Sequence, residues 1–154
     1  MPTEYILAYH CAPAFAGIKP SNIASCSKRE NPNITVQIKM LNEKLNKNDI
    51  YIDVLCECGE RVLLMVYRKQ KLCEYLQRDD IKSFLCDNGY PKVFSLIKYL
   101  AILKSRIYAQ RLMNKEFPHE IGAFLGYPLH DIYGFINHKH KGCLLTGEWK
   151  VYEN

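Results

Sequence analysis

The sequence predicts an α+β fold, and three observations predict it. Two apolar arms, Ile50–Cys58 and Arg61–Arg68, flank the turn pair Gly59-Glu60, which is the layout of a β-hairpin. The stretch 93–113 repeats its apolar residues at spacings of three and four, which is the period of a helix. No internal repeat, low-complexity run or long linker interrupts the 154 residues. One domain over 1–154 is therefore expected, with a small antiparallel or mixed sheet (strands near 5–10, 50–58, 61–68 and 143–152) covered by helices.

Each element has its own reason. Tyr5-Ile6-Leu7-Ala8-Tyr9 is a short apolar run ending at His10-Cys11-Ala12-Pro13, read as a buried strand over 5–10 entering a loop. After Gly17 and Pro20, the Ser21-Asn22 pair can cap a short helix through Ser25. Asn31-Pro32-Asn33 is a turn, and 35–45 sets Val36, Ile38, Met40, Leu41 and Leu45 beside Lys39, Glu43 and Lys44, a helical mixture. In the first hairpin arm, successive side chains point to opposite faces. Ile50, Ile52, Val54, Cys56 and Cys58 should share one face, and Tyr51, Asp53 and Glu57 the other.

From 69 to 86 the pattern is helical through Leu72, Tyr75 and Leu76, breaks at Asp79-Asp80 with Asp79 as N-cap, and resumes through Ile81, Phe84 and Leu85. Asp87-Asn88-Gly89-Tyr90-Pro91 stops it. The long helix 93–113 should face inward through Val93, Leu96, Ile97, Leu100, Leu103 and Ile107. A helical hairpin over 118–137 follows, with Pro118 and Pro128 near the first turns of its two short helices and Gly126 as the stop between them. Cys143 to Tyr152 is strand-like and could join the sheet.

Composition narrows the classes. With 48% hydrophobic and 24% charged residues, the chain is not a disordered one. No basic segment precedes an apolar run at the N-terminus, and 5–9 is too short for a signal sequence or a membrane span, so the expected compartment is the cytoplasm, with no membrane partner. Seven cysteines, an odd number without an export signal, are expected as reduced thiols that mostly pack as small apolar side chains. The net charge of +5 is moderate, but 92–115 carries Lys92, Lys98, Lys104, Arg106, Arg111 and Lys115 with no acid, the pattern expected of a local positive stripe.

Four groupings could carry chemistry. His10-Cys11 could hold a reactive thiol if a cation, an imidazole or a helix N-terminus favours its thiolate. Adjacent strand residues face opposite ways, so the partner would come from His119 or Glu120 rather than His10. His119-Glu120 itself opens a helix, where the dipole favours an acid, or else forms an acid/base or metal-ligand pair. Cys56-Glu57-Cys58 would put two sulfurs on one face but lacks the second close pair of a structural zinc site. His138 and His140 sit in a basic turn with Lys139 and Lys141. The segment 119–137 also has the core spacing of a helix-turn-helix in Ile121, Leu125, Ile132 and Phe135, although its second helix offers no Arg or Lys before Lys139.

His10-Cys11-Ala12-Pro13, Ala16-Gly17-Ile18-Lys19-Pro20 and Phe117-Pro118-His119-Glu120-Ile121-Gly122 with Phe124-Leu125-Gly126-Tyr127-Pro128-Leu129 resemble an uncharacterised family of small proteins from anaerobic Gram-positive bacteria, classed as a domain of unknown function. The resemblance covers nearly the whole chain, including a tail like Gly147-Glu148-Trp149-Lys150-Val151-Tyr152. It implies a cytosolic role around iron or redox metabolism and assigns no catalytic residue.

The leading expectation is a cytosolic protein that binds a small ligand or a metal-linked, redox- or iron-related partner where the strand end meets the hairpin, through His10, Cys11, Lys19, His119, Glu120 and Tyr127. A thiol-dependent enzyme, with Cys11 as nucleophile and His119 or Glu120 as base, is the alternative. A nucleic-acid-binding regulator using Lys98, Lys104, Arg106, Arg111, His130, Asn137 and Lys139 is a third. Cofactor, metal content and oligomeric state are left open.

Overall fold

The computed structural model describes residues 2–137, with the side chains of Phe135 and Asn137 excepted. The expected strand over 143–152, together with Cys143, Lys139 and the His138–His140 turn, lies outside the described residues. Within them, the chain runs α1 (Thr3–His10), α2 (Ala12–Phe15), β1 (Ser21–Ser27), α3 (Ile34–Leu45), a 3-10 turn, β2 (Ile50–Cys58), β3 (Arg61–Arg68), α4 (Lys69–Leu76), α5 (Asp79–Asp87), α6 (Leu96–Leu112), α7 (Ile121–Phe124) and α8 (Leu129–Asn137). The α+β class stands, with an antiparallel sheet of order β1-β3-β2.

Two early elements differ from expectation. Residues 5–10 form helix, not strand: Thr3, Ile6 and Leu7 are buried on one side while Tyr5 and Tyr9, four apart, face solvent. A short apolar run fits either period, and here the 3–4 spacing wins. Ser21 to Ser25, expected as a capped helix, lies instead in β1. Its polar side chains are satisfied across the fold rather than locally. Ser21 Oγ donates to the Phe124 carbonyl at 2.6 Å, and Asn22 Oδ1 accepts from the Ala14 amide at 2.9 Å.

The hairpin forms as expected, with Gly59 at φ +59° in its turn. The register slips between Val54 and Cys56, however, so the strict alternation fails. Leu55 and Cys56 are both buried, Val54 is half-buried, and Cys58 is exposed. The central strand β3 is buried without a break from Val62 to Tyr67, because helices cover both sheet faces. On β2, Ile52 lines the α1–α3 side, while the neighbouring Asp53 binds Lys104 of α6 at 2.8 Å. Asn42 of α3 donates to the Ile52 carbonyl at 2.9 Å and accepts from its amide at 2.8 Å, closing part of the β2 edge as a missing strand would.

The break at Asp79-Asp80 is real. Arg78 occupies the N-cap, so Asp79 is the first residue of α5 rather than its cap. The long helix α6 is shorter than 93–113. Ser95 caps it by accepting from the Lys98 amide. Its buried stripe is Leu96, Tyr99, Leu100, Leu103 and Ile107, whereas Val93 and Ile97, expected inside, are 82% and 83% exposed. The hairpin 118–137 is present, but its first helix is a single fully buried turn, Ile121–Phe124.

Candidate functional site

The structure gives the expected site residues three different neighbourhoods. Cys11 lies between α1 and α2, with no exposed surface. The thiol is thus not presented to a substrate, and the structure does not supply the open nucleophile that the enzyme alternative needs. His10, half-buried, stacks edge-on with Tyr9 at 4.8 Å, and burial lowers its pKa.

His119 and Glu120 face α5 and α6. His119 Nε2 lies 3.0 Å from Asn88 Oδ1, and its ring meets the edge of Phe84. Glu120 does not serve the helix dipole, because α7 is one turn long and the carboxylate makes no cap bond. Instead the buried Glu120 Oε2 accepts from Tyr90 Oη at 2.9 Å and from Arg106 at 2.6 Å. Burial first, and the Glu120 charge second, raise the Tyr90 pKa far above the ordinary phenol value. Burial opposes the Arg106 charge, but the hydrogen bond and charge of Glu120 raise its pKa overall. This is a satisfied buried ion pair with a capping phenol, which welds the entry of α7 to α6.

Lys19 and Tyr127 form the third neighbourhood. Lys19 Nζ stands 4.8 Å above the Tyr127 ring. Gly126, at φ +85°, packs so tightly that a Cβ there would come within 2.6 Å of Pro20. Only glycine fits. Tyr75 Oη donates to the Tyr127 carbonyl at 2.6 Å, which fastens this junction to α4. The two segments, 16–20 and 124–128, thus form one rigid wall although about a hundred residues separate them.

That wall borders a cleft of about 380 Å³ with Ile18, Pro20 and Gly126 on one side and Lys71, Glu74, Tyr75 and Arg78 on the other. A second hollow of about 330 Å³ shares Lys71 and Glu74 and reaches Gly17, Asp49 and Arg68. The acids here are engaged: Asp49 accepts from the Gln70 amide and Glu74 from the Gln70 side chain. Arg68 is held by the Ala14 and Phe15 carbonyls. Arg78 lies 5.3 Å over the Tyr75 ring and pairs with Asp80 at the surface. Lys71 is exposed, and cations outnumber acids around the cleft. Lys71, Glu74 and Arg78 recur at spacings of three and four, a helical-face signal present in the sequence.

The residues expected to meet nucleic acid do not form one surface. At ~100° per residue, Lys98 and Arg106 fall on one side of α6, with Lys104 and Arg111 on another. Lys104 is paired with Asp53 and Arg106 with Glu120, while Arg111 covers the Phe117 ring. Exposed His130 sits 3.0 Å from its neighbour Asp131. The one-turn α7 is too short for the first helix of a helix-turn-helix. Asn137 ends α8, and Lys139 is outside the described residues.

Of the described cysteines, Cys11, Cys26 and Cys56 are buried, Cys73 and Cys86 half-buried, and Cys58 exposed. Burial raises the Cys56 and Cys73 pKa values. Among the described residues no three His, Cys, Asp or Glu side chains gather as a metal site; Cys56 and Cys58 keep a regular two-residue register beyond the slip, as expected, but no second pair joins them. Nor is any helix among the described residues long and apolar enough to cross a membrane.

No curated protein and no solved structure matches the chain. A family model does, over residues 7–154, and so the chain belongs to the family described as "Protein of unknown function (DUF3793)".

Proposed function

We propose that this protein binds a small anionic ligand, such as a phosphate or carboxylate compound, in the cleft between the 16–20 segment and α4. The expectation of small-ligand binding is kept, with Lys19 and Tyr127 beside the site. Its centre moves from Cys11 and His119 to Lys71, Tyr75 and Arg78. The observation that carries the reading is the locked junction of Pro20 with Gly126, which gives a preformed concave wall beside an excess of cations. Preformed concavity with a few convergent polar groups is the usual form of a ligand site. Arg78, already stacked on Tyr75, can offer a guanidinium edge to an oxyanion, and Lys71 a mobile point charge.

Inorganic phosphate and ethyl phosphate, titrated against the full chain by NMR, should perturb resonances of Lys71, Tyr75 and Gly126, with binding that weakens as salt rises. Lys71→Glu/Arg78→Glu should weaken this at least about tenfold, the loss of one charge-assisted contact. Lys98→Glu, a charge reversal on exposed α6, should leave it unchanged. Equal loss in both variants would reduce the effect to net charge and overturn the reading.

A further inference from the structure

The largest hollow among those described lies beside the second polar hollow, the one that reaches Arg68, and differs from it in chemistry. It has a volume of about 660 Å³ and is walled by Leu7, Ala8 and Ala12 of the α1–α2 pair and by Leu41 and Leu45 of α3, with Ile52 of β2 among its lining. Glu4 and Lys44 are its ionisable groups. Alanine at positions 8, 12 and 16 puts small side chains along the α1–α2 side, where larger ones would fill the space. Ala16 also lines the polar hollow that contains Arg68, Lys71 and Glu74. The apolar groove therefore adjoins, across one small residue, the polar hollow that shares Lys71 and Glu74 with the cleft.

We infer that the ligand is an amphiphile, an alkyl or acyl chain ending in a phosphate or carboxylate, with its chain in the groove and its anionic head among Lys71 and its neighbours. This rests on the anion-binding reading of the cleft and adds the class of ligand. The groove itself favours a chain: its walls are aliphatic apart from Phe15, its size lies within the range of small-molecule sites, and burying methylenes there removes apolar surface from water on both partners. Short anions would fill only the polar half. The adjoining cations select the charge of the head, because a cationic amphiphile would bring like charges together at Lys71 and Arg68.

The test compares inorganic phosphate, ethyl phosphate and decyl phosphate, the last below its micelle concentration, by calorimetry on the full chain. Decyl phosphate should bind at least about 100-fold tighter than ethyl phosphate, since each buried methylene contributes up to about fourfold. Ala12→Phe, a change at an exposed position that fills the groove, should abolish that gain and leave inorganic phosphate binding intact. Decylamine should bind at least about tenfold more weakly than decyl phosphate. If phosphate binds but chain length has no effect, or if Ala12→Phe leaves the gain unchanged, the inference fails and the cleft reading survives. Insensitivity of every probe to Lys71→Glu/Arg78→Glu overturns the cleft reading and the amphiphile with it.

Discussion

Cys26 shows how burial alone decides what a side chain can do. It has no exposed surface on β1, and burial raises its thiol pKa from 9.0 to about 11, with the charge of Arg61 only partly opposing the shift. The unfolded chain ionises this thiol first as the pH rises. The corresponding stability is therefore complete below pH 9 and is lost between about 9 and 11. Cys26→Ala should be less stable than the wild type near neutral pH, by about 1 kcal/mol for the lost side chain. Its stability should fall less steeply over the same window, as measured by urea unfolding at a series of pH values. Parallel curves for the two proteins would show that Cys26 is not the titrating group. The count and spacing of cysteines were legible in the sequence, but which of them meet water was not, since Cys56 and Cys58 lie two apart on β2 and only Cys56 is covered by the rest of the fold.

At the scale of elements, Asn42 and Gly126 do the joining. Asn42 bonds both backbone groups of Ile52 on the edge strand β2. Asn42→Ala leaves that donor and acceptor unpaired, and should cost about 1 to 3 kcal/mol in urea unfolding. It should also increase self-association in light scattering, because an open edge pairs with other chains. Gly126→Ala meets both a left-handed backbone and the Pro20 ring, so it should lower stability by more than about 1 kcal/mol and weaken phosphate binding at the cleft. An unchanged melting temperature in Gly126→Ala would show that the junction is loose. The helices α4 and α5 and the hairpin were legible because long or strongly patterned segments declare their period. The 5–10 run and the Ser21 segment were not: the first is too short to distinguish helix from strand, and the caps expected of Ser21 and Asn22 were taken by Phe124 and Ala14 across the fold.

Over the whole molecule, a buried charge ties three helices together. Glu120, only 3% exposed, binds Arg106 of α6 and Tyr90 after α5 while it leads into α7. Glu120→Gln leaves the Arg106 charge without its partner and should cost about 2 kcal/mol in urea unfolding. Glu120→Gln/Arg106→Gln should recover part of that loss. Additive losses would show that the two side chains do not act as a pair. By itself the sequence determined the α+β class, the hairpin, the broken helix before Asp87 and the family, because local period, turn chemistry and motif survive any arrangement of neighbours. Only the tertiary structure decided that Cys11 is sealed, that Glu120 belongs to Arg106, and that segments 16–20 and 124–128 share one cleft. Those are contacts between residues far apart in the chain. They are settled by which surfaces exclude water together, a quantity that no single stretch of sequence contains.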